Sequence, residues 1–239
     1  MKPLYKRVLI KLSGEALMGE QNFGIEHKAC NAIANAIKEV YDLGVEIGIV
    51  VGGGNIFRGT QAKDFGFART PADHIGMLAT TINGLILQQS LSVLDIPSVV
   101  MSALSDSLVE KYSWAQSIDE IKKNKIVIFV GGTGNPYFST DTAAALRATE
   151  IQAEIVLKAT KVDGVYTDDP KKNPNAQKFE RLTYLDALAK QLNVMDATAI
   201  ALCRENKIPI YVFNLFQKGS LLAAICQGQG GTLVTGDIK

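Results

Sequence analysis

Residues 125–147, KIVIFVGGTGNPYFSTDTAAALR, decide the fold. The apolar, β-branched run Ile126–Val130 has the length of one buried strand. Gly131-Gly132-Thr133-Gly134 is a turn of small residues, and Ser139, Thr140 and Asp141 stand ahead of Ala143-Ala144-Ala145-Leu146 as a capped helix start. A strand, a small-residue loop and a helix N-terminus together present unpaired backbone N–H groups and the positive end of a helix dipole, a geometry that suits an anion, most often a phosphate. A lone turn of this kind can also be an ordinary strand-to-helix connection. Here the construction recurs along the chain.

Residues 7–12 read as a first buried strand with Lys11 near its end, followed by Ser13-Gly14. Residues 45–51 run into Gly52-Gly53-Gly54-Asn55-Ile56-Phe57-Arg58-Gly59, and residues 154–159 into Thr160-Lys161-Val162-Asp163-Gly164-Val165-Tyr166. Further strands are expected at 97–101 and 208–213, with a short edge strand at 232–235. Helical periodicity covers residues 26–41, with Gly44 as C-cap, then 74–91 with Asp73 as N-cap, and 114–123, 184–192 and 195–206. The helix from His74 is apolar on more than one face, so it is either central or part of a subunit interface. Residues 60–72 are irregular, and residues 168–174, with Lys171 among them, form a polar turn. No repeat or linker divides the chain. The βαβ alternation predicts a mostly parallel sheet with helices on both faces, which binds ligands at the carboxyl ends of its strands.

Composition narrows the function. The 239 residues are 47% hydrophobic and 21% charged with a net charge of +1, which points away from a nucleic-acid glove or a membrane-surface protein. Cys30, Cys203 and Cys226 are scattered, as for buried thiols in a reducing compartment. The first apolar run is broken by Lys11, so neither a secretory leader nor a membrane span is expected, and a cytoplasmic location is. No Walker-type G-x-x-x-x-G-K-[ST] occurs, and neither Gly132-x-Gly134 nor Gly52-x-Gly54 completes a dinucleotide fingerprint. Asp64-Phe65-Gly66 imitates a protein-kinase motif without its catalytic-loop partner.

Several anion-binding turns with Lys11 and Arg58 beside them suit a nucleoside triphosphate and a second anion. Each residue has a plainer alternative. Lys11 could be a solvated strand-end lysine and Arg58 half of a helix-cap ion pair. Asp73 and Asp141 read as N-caps, Asp168 and Asp169 as turn residues, and His27 and His74 as surface or capping groups.

Lys11-Leu12-Ser13-Gly14, Gly52-Gly53-Gly54-Asn55-x-x-Arg58-Gly59 and the segment from Lys158 to Val165 resemble the amino acid kinase superfamily. Within it, Gly134-Asn135-Pro136-Tyr137-Phe138-Ser139-Thr140-Asp141, together with Asp73, is similar to the bacterial uridylate (UMP) kinases. The resemblance implies a three-layer αβα sandwich around a mainly parallel, roughly eight-stranded sheet, forming one domain over residues 1–239. The part up to about residue 150 would mainly hold UMP and the remainder mainly ATP. It implies transfer from Mg-ATP to UMP, a homohexamer, and GTP activation with UTP inhibition. Lys11, Leu12, Ser13, Gly14, Gly54, Arg58, Thr160, Tyr166 and Asp169 match family positions that hold ATP. Gly53, Asp73, Thr133, Gly134, Asn135, Pro136, Tyr137, Phe138, Ser139 and Thr140 match the UMP contacts. Gly19, Glu20, Gln21, Asn22, Phe23 and Gly24 match the activator-responsive loop. Lys11, Arg58 and Asp141 would be the catalytic group, with Mg²⁺ bound mainly through ATP and no metal site of the chain's own. A carboxylate kinase of the same superfamily, or a nucleotide-binding protein without turnover, are the rival readings.

Overall fold

The computed structural model describes residues 1–59, 64–105, 107–170 and 172–236. Part of the irregular 60–72 stretch and Lys171 of the polar turn therefore lie outside the described residues. In chain order the elements are β1 (Arg7–Leu12), α1 (Gly14–Leu17), α2 (His27–Tyr41), β2 (Glu46–Val51), α3 (Arg69–Ser92), β3 (Ser98–Ser102), β4 (Glu110–Lys111), α4 (Trp114–Lys122), β5 (Ile126–Val130) and α5 (Thr140–Glu150). There follow β6 (Ile155–Thr160), β7 (Val165–Tyr166), β8 (Lys178–Phe179), β9 (Arg181–Thr183), α6 (Tyr184–Ala189), α7 (Ala197–Glu205), β10 (Ile210–Asn214), α8 (Ser220–Gln227) and β11 (Gly231–Thr235).

One nine-stranded sheet runs β4-β3-β5-β2-β1-β6-β10-β11-β9, and only the β10–β11 pairing is antiparallel. β7 and β8 form a separate antiparallel hairpin. The central strands are buried on both faces and alternate between two cores. Val8, Ile10 and Leu12 of β1 join the core under α2, α3 and α8, whereas Leu9 joins the one under α4, α5, α6 and α7. Each such aliphatic side chain stabilises the fold by about 1.5–3 kcal/mol. The run Ala143-Ala144-Ala145, wholly buried, lets α5 lie close on the sheet. Gly48 of β2 accommodates that approach, since a Cβ there would come within 2.7 Å of Ile151 Cδ1.

Several expectations are corrected. The sheet has nine strands because two short edge strands, β4 and β9, are added. β9 pairs with β11, so residues 232–235 belong to an interior strand and not to the edge. The long helix begins at Arg69 instead of His74: Pro71 falls in its first turn, where the missing N–H has no intrahelical partner to lose. Asp73 is consequently inside the helix. Its N-cap is Ala68, without a side-chain cap.

Gly84 marks where α3 presses hardest on the sheet, because a Cβ there would lie 2.4 Å from Val130 Cγ1. Gly84→Ala gains about 1 kcal/mol of helix propensity but overpacks against a stiff β-branched side chain at about 1–3 kcal/mol. A lowered urea-unfolding midpoint is therefore expected, reversing to a raised one when the same change is made in a Val130→Ala background. A raised midpoint in the wild-type background would mean that β5 has room to spare.

Candidate active site

Period-two alternation puts Lys11 and Lys158 on the α5/α7 face of the sheet, at the carboxyl ends of β1 and β6. The two lysines are register partners on neighbouring parallel strands, so their side chains rise side by side. Asp141 enters from the first turn of α5 and takes both: Lys11 Nζ is 2.9 Å from Oδ1 and Lys158 Nζ 3.0 Å from Oδ2. None of the three side chains is more than 15% exposed. Lys158 Nζ also donates to the Val194 carbonyl. Burial alone would push the Asp141 carboxyl up, but the two ammonium groups hold it below the ordinary carboxylate value. Desolvation depresses Lys158, with Lys11 adding to it and Asp141 opposing it. Asp141 is not the N-cap of α5. Ser139 is, its Oγ accepting from Thr142 N–H at 3.0 Å. The carboxylate whose plainer alternative was a cap instead faces two cations.

A cavity of about 560 Å³ opens beside this triad, walled by Gly53, Gly54, Arg58, Asp73, Tyr137, Phe138, Ser139 and Thr140 among others. A second, of about 320 Å³, is lined by Lys11, Ser13, Glu15, Lys158 and Thr160. A third, of about 490 Å³, holds Tyr166, Asp168 and Asp169 and shares Val162 and Asn193 with the second. The first and second meet at an ion pair: Arg58 Nη2 lies 2.8 Å from Glu15 Oε1, while Arg58 Nε donates to the Gly54 carbonyl at 2.9 Å. Asp73 ties α3 to the loop after β5, accepting from Tyr137 N–H at 2.7 Å and from Arg69 Nε at 2.9 Å. Tyr137 has φ +73°, so its backbone is held in a left-handed conformation where Asp73 receives it.

The expected residues do not all converge. Leu12 is fully buried in the core, and its link to the site is its carbonyl, which accepts from Gly52 N–H at 2.9 Å. Gly14 is a close-approach position, since a Cβ there would be 2.3 Å from Asn55 Oδ1. Thr133 and Asn135 line an adjoining apolar groove with Leu146, Ala201 and Leu202, which shares Phe138, Thr142 and Thr198 with the first cavity, and Thr133 Oγ1 accepts from Asn135 N–H at 3.2 Å. Gly134 and Pro136 line none of these cavities. Glu20, Gln21, Asn22 and Phe23 are exposed, and the loop from Gly19 is fastened at Gly24, whose N–H donates to the Asn55 carbonyl at 2.9 Å. His27 pairs with Asn31 on α2, and His74 lines none of the cavities. Burial pushes the Cys203 thiol up to about 12, an environment opposite to that of a nucleophile.

Two site residues escaped individual notice. Lys158 carried a signal, a lysine in an otherwise apolar strand, repeating Lys11. Asp196 caps α7 through Ala199 N–H at 3.0 Å and also takes the hydroxyls of Ser139 and Thr142. Only the fold brings those groups together. Among the described residues no three acidic, histidine or cysteine side chains converge as a metal cage, and both Asp141 oxygens face lysines. No described helix is long and apolar enough to cross a membrane.

Known proteins agree with this architecture. The uridylate kinase of Protochlamydia amoebophila is 56% identical over 216 residues, 90% of this chain and 86% of that protein. The uridylate kinase of Photobacterium profundum is 49% identical over 235 residues, 98% of both chains. The crystal structure of UMP kinase from Bacillus anthracis superimposes with a TM-score of 0.94 at 40% identity, covering 98% of this chain and 97% of that one. The model of the amino acid kinase family matches residues 6–214, and this chain belongs to that family.

Proposed function

We propose that this chain is a uridylate kinase, moving the γ-phosphoryl group of ATP to UMP to give UDP and ADP. The observation that carries the reading is the pair of cavities meeting at Arg58, with Lys11 and Lys158 held by one carboxylate beside the junction. UMP is assigned to the first cavity, its ribose to Asp73 and its phosphate to the turns around Gly53 and Ser139. ATP is assigned to the second and third cavities, with its phosphates toward Lys11, Ser13 and Gly14 and its nucleoside toward Thr160, Tyr166 and Asp169. The C-terminal part of the chain, from about residue 150, is assigned mainly to ATP in this reading.

The acceptor needs no general base, because a phosphomonoester with a second pKa of about 6 is mostly ionised at neutral pH. The obstacle is charge, since two anions must meet in line. Holding them in line removes about 7–11 kcal/mol of barrier. Lys11 and Arg58 neutralise the transferring group and the acceptor phosphate, while Asp141 keeps Lys11 and Lys158 aimed. Mg²⁺, carried by the ATP phosphates, supplies further charge neutralisation there. The proposal extends to a cytoplasmic homohexamer activated by GTP and inhibited by UTP. The exposed stripe Ile75, Leu78 and Ile82 on α3 supports burial of that face against another subunit.

The function is tested by coupled ADP release with UMP, CMP, acetylglutamate, glutamate and aspartate as acceptors, repeated with GTP and UTP added. Turnover with UMP is expected and turnover with an acid instead would replace the reading with a carboxylate kinase. Lys11→Ala should lower kcat by about 10²–10³-fold while leaving the UMP dissociation constant nearly unchanged; unaltered turnover would remove Lys11 from the chemistry. Asp141→Asn should cost about 3–5 kcal/mol at pH 7 by leaving two ammonium groups uncompensated. Because the folded pKa of Asp141 is depressed, the wild-type advantage is complete above about pH 4 and fades as pH falls through the lower folded value. Urea midpoints of both proteins across pH 2–7 check the size and the window.

A further inference from the structure

We propose that Asn55 and Asn83 act together as a positioning pair that sets the glycine turn between the two nucleotide cavities. Asn55 follows the triple glycine and is 2% exposed, and Asn83 in the middle of α3 is wholly buried. Burying two amides is costly unless every polar group finds a partner. Here they bond reciprocally, Asn83 Nδ2 to Asn55 Oδ1 at 2.7 Å and Asn55 Nδ2 to Asn83 Oδ1 at 3.1 Å. The remaining donor capacity goes to backbone, from Asn83 to the Gly52 carbonyl at 2.7 Å and from Asn55 to the Gly24 carbonyl at 2.9 Å.

The effect on the turn follows from which groups are held. Gly52 is gripped at both ends, its N–H by the Leu12 carbonyl at 2.9 Å and its carbonyl by Asn83. The Gly53 carbonyl takes the N–H groups of Ile56 and Phe57, each at 3.0 Å. Gly53 and Gly54 line the acceptor cavity, and neither N–H has an acceptor among the described residues. Glycines have the widest backbone freedom, so three in succession would wander without an external clamp. An apolar pair of the same shape would fill the space but leave the Gly52 and Gly24 carbonyls unpaired. The amides are therefore what aims those two donors at a phosphate, and a misplacement of about 1 Å can cost on the order of 10² in rate.

The proposal rests on the phosphotransfer reading above. Asn83→Ala is expected to bind UMP and ATP with near wild-type dissociation constants while kcat falls on the order of 10²-fold. Thr81→Val, on the same helix and replacing a buried hydroxyl without a partner among the described residues, should keep the wild-type kcat. The Asn55→Ala/Asn83→Ala double variant should fall no further than the worse single one, as for a unit. A folded Asn83→Ala with wild-type kcat, or single losses that multiply in the double variant, would overturn the pair. In the unmodified protein, Nδ2 protons of Asn55 and Asn83 should exchange with solvent far more slowly by NMR than those of exposed Asn22. Equal exchange would overturn the proposal even if the variants do not fold. Should the wild type transfer nothing to UMP, the functional reading fails while amide exchange still tests the pair.

Discussion

The site depends on one carboxylate holding two lysines apart from each other and out of bulk water. Ammonium groups on adjacent strands at the same register would repel, and burial would strip them of hydration. Asp141 offsets both costs by giving one oxygen to each. The fold makes this possible because parallel strands in register deliver Lys11 and Lys158 to the same height, and the small residues of α5 bring its first turn down between them. A larger residue than alanine along 143–145 would lift the helix and separate the charges.

Around that triad the sheet distributes its cavities at the carboxyl ends of its strands. Four strand exits contribute walls, namely the segments after β1, β2, β5 and β6, and α3 contributes another. Exposed ion pairs hold few of these walls. Several of the contacts are backbone groups captured by side chains, such as the Tyr137 N–H by the half-buried Asp73 and the Gly131 N–H by the buried Thr80 Oγ1 at 2.7 Å. Arg58 and Glu15 are the partial exception, about 45% and 39% exposed, and so the least constrained contact where the cavities meet.

Much of the fold was legible in the sequence because buried parallel strands are continuous apolar runs, and their glycine-rich exits are unmistakable punctuation. What was misread has local causes. Both Ser139 and Asp141 are capping residue types, and nothing short of the sheet register reveals that two lysines compete for the aspartate. Pro71 read as part of an irregular stretch ahead of a helix, whereas it lies in the first turn of one. β4 and β9 are too short to carry a pattern. Thr133 and Asn135, placed with Tyr137 by the resemblance, line a groove that adjoins the first cavity through Phe138, Thr142 and Thr198. Asp196 could not be found at all, since its role exists only once residues 54 and 57 positions away fold back onto it.

α3 spans 24 residues, a rod about 36 Å long. Along it lie Asp73 at the mouth of the acceptor cavity, Thr80 under the β5 exit, Asn83 beneath the triple glycine and Gly84 against Val130. Its opposite side carries Ile75, Leu78 and Ile82 in the open. A hydrogen-bonded helix of this length moves as a stiff body, so a push on that outer side is not absorbed locally. Whatever covers that outer side therefore rests on the same helix that carries Asp73, Thr80, Asn83 and Gly84.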